Sequence, residues 1–293
     1  MTNRIGSPDS QNPTAARLEA LLAPRLPREQ RGIELVGEKP LHVMRAGDKG
    51  GPAAVFIHGL GGSVDYWTPL INSPPLQSWN SLLFDLEGHG LSPTTPLSKL
   101  SIDSFAEDVK TLCTQSGLTN VTLVAHSMGC LVAFKCAQEN PGLISRLILV
   151  GPPPNPLPDA AVKGSHARAA LVRDEGMGAV VDAVSSAGTS ERTKTSNLVA
   201  LSAVRTSLLG QPSEGYAKAC SALADAPALD VSSIQAETVI ITGAEDKVSS
   251  PQVCENYKQR IPNVVHVEVL KDVGHWHVFE DPTGVLRGIG ELK

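Results

Sequence analysis

Short apolar runs recur along the chain, and each leads into a glycine or a polar residue. Residues 53–57 (AAVFI) run into a glycine-rich loop, and residues 121–124 (VTLV) run into a turn that contains a serine. Continuous apolar runs predict strands that are buried on both faces, and such strands are typical of parallel sheets covered by helices. Further strands of the same sheet are predicted at residues 82–84, 147–150, 239–242 and 265–270.

Helical patterns separate these strands. Residues 104–117 and 127–139 carry apolar side chains at helical spacing. Near the start, residues 33–36 and 41–45 predict two short antiparallel strands joined by a Gly-Glu-Lys-Pro turn. Strands that alternate with helices indicate an α/β protein, with a mostly parallel sheet and helices on both of its faces.

Strand patterns disappear between residues 152 and 236, where Ala, Leu and Val recur at helical spacing. We therefore predict a helical cap at 152–236, inserted into a core that consists of residues 31–151 and 237–293. Residues 1–30 contain four prolines among polar residues. They are predicted to form an N-terminal extension, with a short helix around residues 18–22.

The charge balance excludes several classes of protein. The chain has 25 Lys and Arg against 30 Asp and Glu, a formal net charge of −5, and no run of basic residues, so we expect no nucleic-acid partner. No apolar stretch reaches the roughly 20 residues of a membrane span, and the first residues lack the apolar segment of a secretory signal. The five cysteines include no Cys-x-x-Cys pair, which favours reduced thiols in a cytoplasmic protein. The oligomeric state stays open.

A serine stands at the junction between a predicted strand and a predicted helix. Ser127 lies in the sequence Ala-His-Ser-Met-Gly, directly after the strand at 121–124. A serine on such a sharp turn exposes its hydroxyl above the carboxyl edge of the sheet, and the residues two positions before and after it must be small. Gly129 meets this requirement, and Ala125 adds one methyl group where glycine is more usual. The alternative is that Ser127 only caps the following helix.

A serine nucleophile needs a base, and the base needs an acid that orients it. Asp246 follows the strand at 239–242, and His275 follows the strand at 265–270. Parallel strands bring their carboxyl ends to one edge of a sheet, so both residues are expected beside Ser127. The chain order serine, acid, histidine is typical of hydrolases with a serine on a strand-to-helix turn. We therefore assign these three residues as a catalytic triad.

Neighbouring residues offer alternatives for each partner. Glu245 and Asp230 could replace the assigned acid, and His277 could replace the assigned base. Glu245 is expected to be solvated, and His277 to lie at the pocket mouth or to pack structurally. His126, beside the serine, is expected to be packed or hydrogen-bonded. The histidines lack His-Glu-x-x-His spacing and the cysteines lack zinc-ligand pairs, so no metal or other cofactor is predicted.

Acyl transfer also needs N–H donors for the oxyanion of the tetrahedral intermediate. One expected donor is the backbone N–H of Met128, the residue after the serine. We assign the second to Leu60, in the loop at 58–62 (HGLGG), where Gly59 and Gly61 let the backbone approach a substrate. The alternative, a phosphate-binding loop, lacks the spacing of either common glycine-rich motif.

Five segments match the landmarks of the α/β-hydrolase superfamily in their order along the chain. They are residues 58–62 (HGLGG), 85–92 (DLEGHGLS), 126–129 (HSMG), 243–246 (GAED) and 274–275 (GH). The chain therefore resembles that superfamily over residues 33–290. The resemblance implies an α/β-hydrolase fold with an inserted helical cap, a Ser-His-Asp triad and no cofactor.

Within the superfamily the chain is similar to the 3-oxoadipate enol-lactonases, through its His-Gly-Leu-Gly loop and its cap segments at 175–177 and 214–223. It differs in having Glu87 where an arginine is common, and residues 180–195 of the cap contain no aromatic residue. The resemblance implies a substrate pocket that is shaped by the loop and the cap. The residues assigned to this pocket are Gly59, Gly61, Met177, Tyr216 and Trp276.

Together these features predict a serine hydrolase that cleaves a small ester or lactone through an acyl-enzyme. The same triad could instead break a carbon–carbon bond, as meta-cleavage-product hydrolases do, or support perhydrolase activity. A further hypothesis is a small-molecule sensor with this fold and weak turnover, which a measured turnover rate distinguishes from an enzyme. Dehalogenases and epoxide hydrolases of this fold use an aspartate nucleophile, so Ser127 argues against both.

Overall fold

The computed structural model describes residues 30–291, and eight strands within this range form one sheet. The strands are β1 (Gln30–Val36), β2 (Lys39–Gly47), β3 (Ala53–Ile57), β4 (Asn80–Phe84), β5 (Val121–His126), β6 (Ile144–Val150), β7 (Glu237–Gly243) and β8 (Val264–Leu270). Their order across the sheet is β1-β2-β4-β3-β5-β6-β7-β8. β2 pairs with β1 and β4 in antiparallel fashion, and all other neighbours are parallel. This is the mainly parallel sheet that the apolar runs predict.

Twelve α-helices lie within the same range. They are α1 (Thr68–Ile71), α2 (Pro74–Gln77), α3 (Ile102–Gln115), α4 (Met128–Glu139), α5 (Asp159–Glu175), α6 (Gly178–Gly188), α7 (Glu191–Ser196), α8 (Leu198–Leu209), α9 (Ser213–Ala224), α10 (Pro251–Arg260), α11 (His277–Glu280) and α12 (Pro282–Ile289). Short 3-10 turns occur at Val64–Trp67 and Val231–Ser233. Among the helices of residues 30–291, none has both the length and the apolar character that crossing a membrane would require.

The central strands contribute side chains to two apolar cores, one on each face of the sheet. In β3, Val55 and Ile57 lie in one core and Ala54 and Phe56 lie in the other, and all four are fully buried. Helices α3 and α4 complete the first core, and α1 and α12 contribute to the second. Burial on both faces removes any alternation of polar and apolar residues, which explains why these strands are continuous apolar runs in the sequence.

Helices α5 to α9 all lie between β6 and β7, and the structure has no strand between residues 151 and 236. α5 packs along α9, and both helices bury small or branched apolar side chains, including Ala169, Val172, Ala217 and Cys220. The segment predicted to be a helical cap, residues 152–236, thus consists of helices and their connecting loops. Its role as a cap stays a prediction.

Several element boundaries differ from the sequence prediction, and three of these differences concern local structure. β1 begins at Gln30, one residue inside the predicted N-terminal extension, and the rest of that extension, with its predicted short helix, lies outside the described residues. The turn between β1 and β2 consists of Gly37 and Glu38 alone, because a φ of 60° at Gly37 lets the hairpin close in two residues. α3 begins at Ile102, two residues early, since the side chain of Ser101 caps it.

Candidate active site

Ser127, the predicted nucleophile, stands at the carboxyl edge of the sheet. β5 ends at His126, and Ser127 follows with φ 50° and ψ −121°, a strained conformation for a residue with a side chain. α4 then begins at Met128. The turn packs tightly against β3, because a Cβ at Gly129 would lie 2.5 Å from the carbonyl oxygen of Ile57. A residue with a side chain at 129 would therefore displace the turn.

Ala125 takes the position where glycine is more usual. Its side chain is fully buried in the apolar core below the turn. Its carbonyl oxygen lies 3.2 Å from Sγ of Cys130, within reach of a thiol hydrogen bond. The turn at Ser127 therefore forms with the extra methyl group in place.

The three residues predicted to form a triad lie together. Nε2 of His275 is 2.8 Å from Oγ of Ser127, and Nδ1 of the same ring is 2.8 Å from Oδ2 of Asp246. The imidazole thus bridges the hydroxyl and the carboxylate, with one ring nitrogen for each. An imidazole held in this way can take the proton of a serine hydroxyl as the serine oxygen attacks a carbonyl carbon.

Both oxygens of Asp246 are occupied. Oδ1 accepts hydrogen bonds from the backbone N–H groups of Val248 and Ser249, each at 2.8 Å. Burial alone would raise the pKa of this carboxyl group, but the facing imidazoles of His275 and His277 bring the pKa well below its usual value. Asp246 is therefore a carboxylate at neutral pH.

The predicted alternatives occupy other positions. Asp230 is exposed, and its carboxylate caps the 3-10 turn that follows it. Glu245 is not simply solvated, as was expected. Its carboxylate accepts a 2.9 Å hydrogen bond from the N–H of Glu191 at the start of α7. His277 is fully buried rather than at a pocket mouth, and its Nε2 lies 3.2 Å from Oδ2 of Asp246.

The loop at 58–62 runs beside Ser127. A Cβ at Gly59 would lie 2.8 Å from the Cβ of Ser127, so a residue without a side chain is needed for this approach. Within residues 30–291, neither the N–H of Leu60 nor that of Met128 donates to a backbone carbonyl. Both N–H groups are therefore available to a ligand.

His58 anchors this loop to the next one. Its Nδ1 lies 2.8 Å from the carbonyl oxygen of Gly59, and its Nε2 accepts a 2.9 Å hydrogen bond from the N–H of Leu86. These two partners require a neutral ring with its proton on Nδ1. Complete burial lowers the pKa of His58 in spite of the opposing charge of Asp85, so the ring is neutral near pH 7.

The loop also packs against the helical insertion. A Cβ at Gly61 would lie 2.7 Å from Cδ2 of Leu208 in α8 and 3.3 Å from Cε2 of Tyr216 in α9. The hydroxyl of Tyr216 lies 3.5 Å from Nη1 of Arg168 in α5. Two of the predicted pocket residues, Gly61 and Tyr216, are therefore in direct contact.

The side chains predicted to line the pocket are largely buried in this conformation. Met177 exposes 5% of its surface, Tyr216 0% and Trp276 4%, and Ser127 itself exposes 8%. The ring of Trp276 stacks on that of Phe279, with centroids 6.1 Å apart. A cavity of about 860 Å³ opens elsewhere, between β1, the loops after β3 and β4, and α8, and Ser127 does not line it.

Glu280 is a residue of the site that sequence reasoning missed. Its carboxylate is 2% exposed and accepts hydrogen bonds from the N–H groups of Gly274 at 3.1 Å and Trp276 at 3.2 Å, on either side of the candidate base. It also accepts from the N–H of Ser190 at 2.9 Å and from Oγ1 of Thr193 at 2.8 Å, both in the insertion. The available signal was an acidic residue five positions after the histidine, directly after the apolar pair Val278 and Phe279.

His126 contacts the backbone of the candidate base. Its Nε2 lies 2.9 Å from the carbonyl oxygen of His275, and its ring stacks on Tyr66 at a centroid distance of 4.4 Å. Burial, followed by the like charges of His275 and His277, lowers the pKa of His126 well below its usual value. The ring is therefore neutral.

These three imidazoles also form a compact group. Nitrogen atoms of His126, His275 and His277 lie within 4.8 Å of one another, a cluster that residue spacing alone did not suggest. Nε2 of His126 and both nitrogens of His275 already have partners in the network described above. The cluster therefore fits a hydrogen-bond network, and we assign no metal to it.

Known proteins share parts of this sequence. Residues 52–174 match the family model described as alpha/beta hydrolase fold. The sn-1-specific diacylglycerol lipase ABHD11 of Mus musculus is 34% identical over 121 residues, which cover 41% of this chain and 38% of the lipase. The matches to curated relatives span between 22% and 38% of the length of those proteins.

Solved structures are similar over most of the chain. A thermophilic esterase from Thermogutta terrifontis has a TM-score of 0.81 at 25% identity, with 89% of this chain and 97% of the esterase covered. The enol-lactonase from Burkholderia xenovorans LB400 has a TM-score of 0.79 at 23% identity, with 89% and 99% covered.

The eight-stranded sheet, its helices on both faces and the serine on the turn after β5 define the α/β-hydrolase fold, and the predicted fold class is confirmed. The family model covers the strand that leads into the HGLGG loop, the serine turn and the first helix of the insertion. The chain therefore has the α/β-hydrolase fold, and residues 52–174 match the model of the family described by that fold.

Proposed function

We propose that this protein is a serine hydrolase that cleaves a small ester or lactone through an acyl-enzyme. The pair of 2.8 Å contacts that join His275 to Ser127 on one side and to Asp246 on the other carries this proposal. The strained backbone at Ser127 supports it, because strain of this kind concentrates at functional sites.

Ser127 is the nucleophile in the proposed reaction. As its oxygen attacks the substrate carbonyl, Nε2 of His275 takes the hydroxyl proton, and the N–H groups of Leu60 and Met128 stabilise the oxyanion. When the tetrahedral intermediate collapses, His275 gives this proton to the leaving oxygen. A water molecule then attacks the acyl-enzyme with His275 as base, which releases the acid and restores Ser127.

Asp246 keeps the imidazole in the productive tautomer. A carboxylate at 2.8 Å from Nδ1 of His275 holds the ring proton there and leaves Nε2 free to accept the proton of Ser127. Because the carboxylate is charged at neutral pH, it also stabilises the imidazolium that forms during attack.

Arg168 favours a substrate with a negative charge. Ser165 and Val172, three residues before it and four residues after it on α5, are buried, and its guanidinium lies beside the hydroxyl of Tyr216. Arg168 is half-buried, and within residues 30–291 it forms no ion pair with a carboxylate. A carboxylate on the substrate would supply the missing partner.

An enol-lactone of 3-oxoadipate would meet this requirement, since it keeps one free carboxylate. Its leaving group departs as an enol and then tautomerises to a ketone, so the same triad chemistry applies. The structural similarity to an enol-lactonase is in line with this substrate class. We therefore place carboxylate-bearing lactones and esters first among the candidate substrates.

The insertion at 152–236 acts as a cap in this proposal. Ser127 is 8% exposed and Tyr216 and Met177, in the insertion, are buried, so we expect the helices of the insertion to move as a substrate enters. Their return would exclude water from the site and strengthen its electrostatic interactions.

The test is hydrolysis of a substrate panel by the wild type, Ser127→Ala and Ser202→Ala. The panel contains 4-nitrophenyl esters of short acids, small lactones and 3-oxoadipate enol-lactone. Ser202 is an exposed serine on α8 and serves as the matched control. We expect Ser127→Ala to lower kcat/KM by roughly 10⁴-fold or more, and Ser202→Ala to leave it unchanged.

The outcomes separate the hypotheses. Repeated turnover of the enol-lactone alone would narrow the substrate class to that of the enol-lactonases. Equal activity of the wild type and Ser127→Ala would overturn the proposal. If the wild type hydrolyses none of the panel, carbon–carbon bond cleavage and ligand-dependent partner binding become the next activities to measure.

A further inference from the structure

Asp246 contacts a second imidazole besides that of His275. Nε2 of His277 lies 3.2 Å from Oδ2 of Asp246, the same oxygen that Nδ1 of His275 contacts at 2.8 Å. His277 is fully buried and begins the short helix α11. The carboxylate therefore has two backbone N–H groups on one oxygen and two imidazoles on the other.

Gly151, directly after β6, makes room for this second imidazole. Its φ is +59°, and a Cβ there would lie 2.5 Å from Cε1 of His277 and 3.4 Å from Oδ2 of Asp246. A side chain at this position would push His277 away from the carboxylate. Two features thus require glycine at this position. They are the left-handed backbone conformation and the close approach of the ring.

The other titratable groups around His277 leave Asp246 as the polar group that its Nε2 contacts, although neither ring nitrogen makes a hydrogen bond of regular geometry to a described residue. The neutral ring of His126, at the end of β5, has its centroid 5.7 Å away, as does that of the candidate base. Tyr66, in the turn after β3, uses its hydroxyl for a backbone N–H. Glu280, on α11 itself, is occupied by N–H groups of the loop around the candidate base.

We propose that His277 is a positioning residue that holds Oδ2 of Asp246 in place through the 3.2 Å contact of its Nε2. This proposal rests on the function proposed above. The contact limits rotation of the carboxylate, so that Oδ2 stays directed at Nδ1 of His275. It also shares the negative charge of Oδ2, so that Asp246 stabilises the protonated form of His275 less than it would alone.

The test compares His277→Gln with His277→Met in the full chain. The two side chains have nearly the same length and volume, but only glutamine can donate an N–H to Asp246. The measurement is kcat and KM for 4-nitrophenyl acetate as a function of pH. We expect His277→Met to lower kcat about tenfold with little change in KM, and to move the acid limb of kcat/KM upward by roughly half a pH unit to one pH unit.

The glutamine variant provides the rescue. His277→Gln should stay within about twofold of the wild-type kcat and keep the acid limb in place, because its donor remains. Equal pH profiles for the two variants would overturn the proposal, since a purely structural role depends on volume and burial alone. If either variant fails to fold, Gly151→Ala tests the same contact with His277 present, and it should shift the acid limb as the methionine variant does.

The controls distinguish this inference from the proposed function. If Ser127→Ala keeps wild-type activity, the proposed function is wrong. If Ser127→Ala is inactive while His277→Met has wild-type kinetics at every pH, only the role of His277 is wrong. The low-field imidazole N–H resonance of His275 gives a readout without turnover, and it should shift in His277→Met but be retained in His277→Gln.

Discussion

The backbone N–H of His275 donates a 2.7 Å hydrogen bond to the carbonyl oxygen of Gly188, at the end of α6. The candidate base thus bonds directly to the helical insertion, which is far from it in the sequence. Gly274 brings the two backbones together, because a Cβ there would lie 2.8 Å from both the carbonyl oxygen of Gly188 and the nitrogen of Ser190. The position of the base therefore depends on the position of the insertion.

Glu280 holds both sides of this contact, through the N–H groups of Gly274 and Ser190. We expect Glu280→Gln to lower kcat at least tenfold and the free energy of unfolding by about 2–3 kcal/mol, because an amide turns N–H donors toward N–H donors and leaves buried groups unpaired. Steady-state kinetics and denaturant unfolding measure the two effects. Glu255→Gln, a half-exposed carboxylate on α10, is the matched control and should change neither. If Glu280→Gln has wild-type kcat and stability, Glu280 does not contribute to the site.

Gly59→Ala tests the loop at 58–62. We expect it to lower kcat at least a hundredfold, since the new Cβ would lie 2.8 Å from the Cβ of Ser127 and must push the N–H of Leu60 away from the reacting carbonyl. KM should change less than kcat. Gly142→Ala, where a Cβ meets nothing within 4 Å, should keep wild-type kinetics. Similar kinetics for both variants would mean that the oxyanion forms elsewhere.

Arg168→Met tests the charge preference of the substrate site. We expect KM for mono-(4-nitrophenyl) glutarate to rise about tenfold or more, because a charged hydrogen-bond partner of the carboxylate is lost. KM for 4-nitrophenyl valerate, a neutral ester of similar length, should change little. An equal rise for both esters would show that Arg168 supports the packing of the insertion and does not bind substrate charge.

Stability should fall as the pH falls below about 6.5. Burial lowers the pKa of His58, His89 and His126, that of His89 to about 3, so the unfolded chain binds protons that the folded chain does not. Each such group lowers the free energy of unfolding by up to about 1.4 kcal/mol per pH unit below its unfolded pKa near 6.5. Denaturant unfolding at a series of pH values measures this slope. His89→Gln should reduce the slope by the contribution of one proton, about 1.4 kcal/mol per pH unit.

One carboxyl group opposes this trend over part of the range. Burial raises the pKa of Asp108 to about 6 against the effect of its Lys39 partner, so the folded chain holds a proton there that the unfolded chain has lost. Its contribution to stability is complete below the unfolded pKa near 4 and is lost as the pH rises through about 6. Between these values Asp108 releases a proton on unfolding while the buried histidines take protons up, so the net uptake is smaller than that of the histidines alone. A stability independent of pH there would contradict the assignment.

The sheet and the three central residues could be predicted for the same physical reason. Strands buried on both faces leave an unmistakable apolar pattern, and Ser127, Asp246 and His275 each follow such a strand. Parallel topology then brings the strand ends to one edge, with no knowledge of side-chain packing. The order of these three residues along the chain and the positions of the three strand ends were sufficient to predict that they lie close together.

Glu280 and His277 could not be predicted in the same way. Their partners depend on how the short helix α11 packs beneath the loop after β8, and on backbone positions far away in the sequence. Gly151 makes room for one of them and Ser190 donates to the other, and neither residue has a local pattern that announces the contact. The burial of Trp276 likewise depends on how the insertion packs, because Gly188 lies against its ring.

The bond between Gly188 and His275 sets an order of events for the proposed reaction. When the insertion swings out to admit a molecule, the loop of the base loses its backbone partner, and when it swings back the base and the dry site are restored together. The substrate would therefore be enclosed before the base is in position to act. An ester that is too large to be enclosed, such as one attached to a polymer or a bilayer, would not be hydrolysed even where its acyl group fits the site. The size of the whole molecule would therefore determine which esters are substrates.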